Sequence, residues 1–283
     1  MKISELKRDI SSELKNFSTT ASLDAEVIIA YVLNFSRLEL VANSKEEVTP
    51  KNMKIIDSLV KRRILGEPIA YLTGKKEFFG IDFKVNSSVL VPRPETEIII
   101  SQAIKIIKSY NRKIKILDLG TGSACIPIAL AVELDKLKIE YEITAVDTSE
   151  KALEIAKENA LNHCVKINFI KSDWFSAIND CYDIITANPP YIAENDLRVS
   201  REINFEPRSA LYAGNTGMDD IYKILDNFRT YLAADGFLLM EIGFEQAEEI
   251  KSYLIDTQIE VFKDLSGLDR MVKISCFNTN NLC

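Results

Sequence analysis

One pattern repeats through the second part of the chain: a short, unbroken apolar run that ends in a polar or glycine turn, then a segment of helical periodicity. "KIKILDLG" precedes "CIPIALAVEL", "EITAVD" precedes "SEKALEIAKENALN", and "MDDIYKILDNFRTYLAAD" leads into "GFLLMEIG" and "FEQAEEIKSYLI". The runs "INFIKSD" and "YDIITAN" stand between these, and "IEVFKD" and "RMVKISCF" follow. A strand with one wet face alternates apolar and polar side chains, whereas a run that is apolar throughout needs cover on both faces. Helices that connect parallel strands supply that cover. The pattern predicts an α/β fold built on a parallel, doubly wound sheet. In such a sheet ligands sit at the carboxyl ends of the strands, near the switch point.

Up to about residue 75 the periodicity is helical. Ile3, Leu6, Ile10 and Leu14 form one stripe, and Leu23, Val27, Ile28, Tyr31 and Val32 form another. A further helix is punctuated by Thr49 as cap, Pro50 at its first position and Gly66 at its close. Residues 1–75 are therefore read as a small all-helical bundle, either a packing appendage or a module that docks a partner. "EFFGIDFKV" predicts a β-hairpin, with residues 76–92 as linker, and residues 93–283 are assigned to the larger domain. The polar connection from Ile192 to Gly217 is long for a compact α/β domain, which marks it as functional or disordered.

Composition removes several function classes. No apolar run approaches the ~20 residues of a membrane span, and "MKISELKRDISSELKNF" carries no export signal. Cys125, Cys164, Cys181, Cys276 and Cys283 are scattered without a C-x-x-C pair and read as reduced thiols, in keeping with a cytoplasmic location. His163 is the single histidine, which argues against a His-based metal centre or a Ser-His-Asp triad. No metal is expected. A net charge of −7 argues against the basic face of a duplex-binding protein.

Three strand ends point to a nucleoside. The first delivers Gly120, Thr121, Gly122, Ser123 and Ala124 after Asp118, where glycines let the backbone approach a ligand at a helix N-terminus. Alone, this G-x-G is equally a tight turn or part of a dinucleotide site. The second strand ends in Asp147, placed to accept from ribose hydroxyls. The third ends in Asp173 and Trp174, suited to hydrogen-bond and stack an adenine. The glycine stretch lacks the later Gly of G-x-G-x-x-G, so no pyrophosphate needs cradling, and S-adenosylmethionine is favoured over a nicotinamide dinucleotide.

The fourth run stops on Asn188-Pro189-Pro190-Tyr191. This is either a stiff strand exit or a clamp for a planar NH2 group. An amide nitrogen is a poor nucleophile because its lone pair is delocalised. A site that accepts both of its hydrogens would hold it against the methyl donor. The Asn188 side-chain oxygen and the Pro189 carbonyl are two such acceptors. Pro189 and Pro190 fix their own φ and restrict the residues before them. Tyr191 is suited to pack on the target group or face the sulfonium.

"EPIAYLTGKKEFFG", "VPRPETE", "DLGTGS", "AVDTSEKAL", "SDWF", "NPPYI", "FEPRSAL" and "LSGLDRMV" together resemble the HemK/PrmC family, the glutamine N5-methyltransferases of peptide chain release factors. The resemblance spans nearly the whole chain. It implies a class I, Rossmann-like S-adenosylmethionine-dependent methyltransferase sheet of seven strands with an antiparallel last strand, and a helical bundle that docks the release factor. The target implied is the glutamine of a Gly-Gly-Gln tripeptide in class-one release factors, with S-adenosylhomocysteine as product. On matching positions, Gly120 to Ala124 would line the methionine part of the cofactor, Asp147 the ribose, and Asp173 with Trp174 the adenine. Asn188, Pro189, Pro190 and Tyr191 would clamp the glutamine amide. Glu206 and Arg208 would order the long loop or form a surface ion pair.

Two residues depart from the family pattern. Ala124 stands where Gly is usual, acceptable at negative φ, and Pro127 requires the helix to start no earlier than about Ala124. The protein is expected to act as a monomer. A ribosomal-protein glutamine, a nucleic-acid base amine, and a non-enzymatic cofactor-binding role are the competing readings.

Overall fold

A computed structural model of the chain describes residues 1–276; Cys283 lies outside the described residues. The chain divides into two units, one of Met1–Lys75 with Ser200–Phe205, the other of Lys76–Val199 with the chain from Glu206 onward. The first unit therefore includes a short piece of the long polar connection, which a linear reading leaves with the larger domain.

The first unit contains helices α1 (Ile3–Leu14), α2 (Ala21–Leu33), α3 (Arg37–Ala42), α4 (Pro50–Ile64) and α5 (Ile69–Thr73). The stripe Ile3, Leu6, Ile10 and Leu14 is buried, as its three- and four-residue spacing requires. The Thr49 side chain accepts from the Asn52 amide, and Pro50 opens α4, where its missing N–H costs nothing. Arg63 on α4 is buried. Its guanidinium donates to Asp24 at 2.7 Å, to Glu202 at 2.6 Å and to the Ser18 hydroxyl at 3.2 Å. A buried cation needs such partners, and this one ties Ser200–Phe205 into the bundle.

From Lys76 the second unit takes in nearly all of a hairpin of β1 (Lys75–Phe78) and β2 (Ile81–Lys84). Phe79 and Gly80 both have positive φ, 51° and 77°, the conformation of a two-residue turn between twisted strands. Next come α6 (Glu97–Ile107), β3 (Ile114–Leu119), α7 (Cys125–Leu137), β4 (Tyr141–Asp147), α8 (Glu150–Asn162) and β5 (Asn168–Lys171). They are followed by β6 (Tyr182–Ala187), α9 (Asp219–Tyr231), β7 (Leu232–Glu241), α10 (Ala247–Tyr253), β8 (Thr257–Lys263) and β9 (Asp269–Cys276). Seven strands form one sheet in the order β5-β4-β3-β6-β7-β9-β8, and β9 runs antiparallel to β7 and β8.

Alternate side chains divide between two apolar layers. Ile114 and Ile116 of β3 pack with α6 and α7, whereas Leu117 and Leu119 pack with α9 and α10. This two-sided burial is why the strands read as unbroken apolar runs. Pro127 falls in the first turn of α7, which begins at Cys125 as the proline requires. Cys125, Cys164 and Cys276 are free thiols. Among the described residues, no helix is long and apolar enough to cross a membrane.

Candidate active site

Chain order runs outward from β3 to β5 in one direction, then returns to β6 on the other side of β3, which makes the switch point. Register aligns the strand ends there. Leu119 pairs with Val146 and Ala187, Val146 with Ile170, and Ala187 with Met240. One step beyond that row stand Gly120, Asp147, Asn188 and Glu241 on adjacent strands. The parallel sheet thus brings residues far apart in sequence to a single edge.

A cleft of about 390 Å3 opens at this edge. Gly120, Thr121, Gly122, Ser123, Asp147, Asp173, Trp174, Asn188 and Pro190 line it. Ala124, Pro189 and Tyr191 do not. Thr96, Arg93, Pro207, Tyr212 and Asp220 complete much of the wall; Arg93 belongs to the "VPRPETE" stretch of the resemblance, and the other four are not among the expected site residues.

The glycine loop is held from two sides. The Thr121 amide donates to the Val146 carbonyl at 2.8 Å, and the Gly122 amide donates to Asp147 Oδ2 at 2.9 Å. Asp147 Oδ1 accepts from the Ser149 amide at 2.8 Å, so this carboxylate both caps its turn and steadies the loop opposite. Gly122 has φ 55° and a Cβ there would meet nothing within 4 Å, so its bare backbone faces open space. Ala124 has φ 61° and is fully buried as the N-cap of α7. The negative φ that would have suited an alanine is not adopted; its methyl belongs to the apolar layer beneath the loop rather than to the cleft. Trp174, itself at φ 46°, lies against the loop, since a Cβ on Gly120 would come within 3.3 Å of its ring. Its Nε1 donates to Asp220 Oδ1 at 3.3 Å.

Asp118 is buried at the foot of the loop, with the Thr121 hydroxyl on one side of its carboxyl. Asp118 Oδ1 accepts from the Thr186 hydroxyl at 2.7 Å. Burial pushes the Asp118 carboxyl up to about 7, against the pull of the Thr121 and Thr186 hydroxyls. Cys125, beside the loop, is pushed up to about 12 by burial and stays a thiol.

The Asn188–Tyr191 segment is braced from behind. The Tyr191 hydroxyl donates to Glu241 Oε1 at 3.0 Å, which anchors the polar end of the ring. Burial, then the Glu241 charge, raises the Tyr191 pKa and keeps the phenol protonated. Gln246 Nε2 donates to the carbonyls of Tyr191 and Gly217 at 3.2 and 3.1 Å, while its Oε1 accepts from the Gly243 amide. Gly217 has φ 77°, and a Cβ there would lie 2.3 Å from the Tyr191 carbonyl oxygen. Glu206 is buried rather than part of a surface pair. It accepts from the Val91 amide at 2.9 Å and from the Arg93 guanidinium, which joins "FEPRSAL" to "VPRPETE". Arg208 is exposed, pairs with Glu194 at 2.6 Å and lies over the Tyr212 ring. The long connection is ordered at its ends, where Ile192 and Tyr212 form a bridge.

Residues 5–74 match the family described as PrmC N-terminal domain, and residues 99–214 match the methyltransferase small domain. A release factor glutamine methyltransferase from Coxiella burnetii is 39% identical over 277 residues, covering 96% of this chain and 98% of the relative. One of the same name from Shewanella oneidensis is 37% identical, over 96% and 91% of the two chains. Among solved structures, the hMettl16 catalytic domain in complex with MAT2A 3'UTR hairpin 6 is similar in fold, with a TM-score of 0.52 and 18% identity over 71% of this chain and 77% of that one. With a cleft at the switch point and relatives matched from end to end, the chain belongs to the release factor glutamine methyltransferase family.

Proposed function

We propose that this enzyme transfers a methyl group from S-adenosylmethionine to the side-chain amide nitrogen, N5, of the glutamine in the Gly-Gly-Gln motif of class-one release factors, in the cytoplasm. The observation that carries this reading is the shared cleft. Asn188 and Pro190 line the same space as the glycine loop, Asp147 and Asp173, with Gly120, Asp147 and Asn188 each one register step beyond a common row of the sheet. The residues fit the cofactor: bare backbone at Gly122 and carboxylates at Asp147 and Asp173.

When bound, the sulfonium supplies an electrophilic methyl group, so the protein needs no strong base to start the transfer. Asp147 would accept from the ribose hydroxyls, and Asp173 with Trp174 would hold the adenine. Asn188 Oδ1 and the Pro189 carbonyl would accept the two amide hydrogens and keep the nitrogen in line. Each such hydrogen bond contributes only about 0.5–1.5 kcal/mol, but misplacing the nitrogen by ~1 Å would cost about 10²-fold in rate. The proton lost from nitrogen after transfer leaves toward these acceptors and solvent.

Substrate charge favours a protein over a nucleic acid. Among the lining residues, Asp147, Asp173 and Asp220 face a single cation, Arg93, and that cation is already paired with buried Glu206. A groove that follows phosphates needs the opposite balance. The test is incubation with methyl-labelled cofactor and, separately, a release factor, a ribosomal protein and an oligonucleotide. Label entering the release factor is the expected result; label entering only one of the other two would overturn the reading.

A further inference from the structure

A carboxamide that clamps a substrate must point the right way. Turned by half a rotation, Asn188 would aim its own NH2 at the substrate's, two donors with no acceptor between them. Behind Asn188 lies a chain of hydrogen bonds within the second unit. Asn188 Nδ2 is 3.2 Å from Thr96 Oγ1, and Thr96 Oγ1 is 2.5 Å from Glu241 Oε2. The second Glu241 oxygen accepts from Tyr191. Thr96 and Glu241 are both about 1% exposed, so no bulk water competes.

We propose that Thr96 and Glu241 are positioning residues that fix the Asn188 carboxamide with its oxygen toward the cleft. The inference rests on the reading of Asn188 as the substrate clamp.

A hydroxyl has one hydrogen. Thr96 gives its hydrogen to the Glu241 carboxylate, which leaves only oxygen lone pairs to face Asn188. That side of Asn188 must then be the NH2 end, and Oδ1, which takes no hydrogen bond from the described residues, is left for the substrate. The direction of donation is set by Glu241, the only member of the chain that is an acceptor at both ends. Burial holds its pKa above the ordinary carboxylate range, opposed by the Thr96 and Tyr191 hydroxyls and the Arg270 guanidinium. The same carboxylate therefore orients Asn188 through Thr96 and holds Tyr191 directly, gripping the segment at its first and last residues. Neither Thr96 nor Glu241 needs to touch the substrate.

The test is a double-mutant cycle on the full chain, with single-turnover methylation of a release factor as readout. Thr96→Val keeps the shape but offers no acceptor. It should lower the methylation rate by about 10- to 100-fold, with the cofactor Kd unchanged within about threefold. Thr96→Ser should restore most of the rate. In an Asn188→Ala background, Thr96→Val should cost less than about twofold more, because its effect passes through Asn188. Glu241→Gln acts through both Thr96 and Tyr191, so in the Asn188→Ala background its cost should shrink by at least about threefold without vanishing, and this decides the matter if Thr96→Val does not fold. An equal loss in both backgrounds, or no rescue by serine, overturns the proposal. Should Asn188→Ala itself keep the full rate, the clamp reading fails instead, so the two failures are separable.

Discussion

Gly217 is outside the cleft lining, yet its substitution should disable the enzyme. A Cβ on Gly217 would lie 2.3 Å from the Tyr191 carbonyl oxygen, 2.9 Å from its carbon and 3.2 Å from the Ala193 amide nitrogen. All three are backbone atoms, so relief requires the chain itself to move. Restoring ordinary contact displaces the Tyr191 carbonyl by roughly 0.7–1 Å. That carbonyl belongs to the last residue of the proposed clamp, and Gln246 ties it to the Gly217 carbonyl. Gly217→Ala would also hold a side chain at φ 77°, which costs about 1–2 kcal/mol, and strain two hydrogen bonds of about 1 kcal/mol each. The expected outcome is a folded protein less stable by about 2–4 kcal/mol, with the methylation rate reduced by about 10²-fold. Cofactor affinity should change by less than about threefold, because the glycine loop is on other strands. Denaturant titration, cofactor titration and single-turnover methylation measure the three quantities. A folded variant with a rate within about threefold of the unmutated enzyme would refute the claim that clamp position limits transfer.

Further outcomes follow from buried charge and backbone strain. Asp24→Ala leaves Arg63 buried with Glu202 as its remaining carboxylate, and denaturant unfolding should show a loss of about 3 kcal/mol; a loss under about 1 kcal/mol would contradict the pairing. The folded-state pKa of Asp118 is raised by burial, so the folded state binds more protons than the unfolded chain. Stability without ligand should therefore fall as pH rises from about 4 to about 7, by up to about 4 kcal/mol, and Asp118→Asn should remove that slope. Ala124→Gly relieves about 1–2 kcal/mol of left-handed strain but gives up a buried methyl worth about 0.8 kcal/mol and adds unfolded-state entropy of similar size. The net change should lie within about 1 kcal/mol, and a shift in thermal midpoint larger than about 8 °C would refute this balance.

The sheet was legible because burial on both faces makes its central strands mostly apolar, and because several of them end in residues that are unusual for a plain turn. Asp147 could be found from its position alone, one residue past an apolar run. Thr96 could not: in "RPETE" a threonine beside a proline looks like a helix start, and its partner is 145 residues away. Glu241 had a faint signal, a carboxylate inside the apolar run "GFLLMEIG", which only makes sense with buried donors. Ser200–Phe205 grouped with the first unit through Glu202 and Arg63, 139 residues apart, and no local pattern encodes such a pair. The sign of φ at Ala124 was likewise hidden, since a side chain that favours helix gives no warning of a left-handed backbone. The partner of the Tyr191 hydroxyl was hidden in the same way, since register places that buried carboxylate on the neighbouring strand.

The central claim is that Asn188 holds a protein amide nitrogen against the methyl donor. The most direct measurement is fragment-ion mass spectrometry of a release factor after reaction with methyl-labelled cofactor, run in parallel with the enzyme and with Asn188→Ala. The account predicts one added methyl on a glutamine side-chain nitrogen, formed at least about 10²-fold more slowly by the variant. A methyl on any other residue, or equal rates from the two proteins, would contradict it.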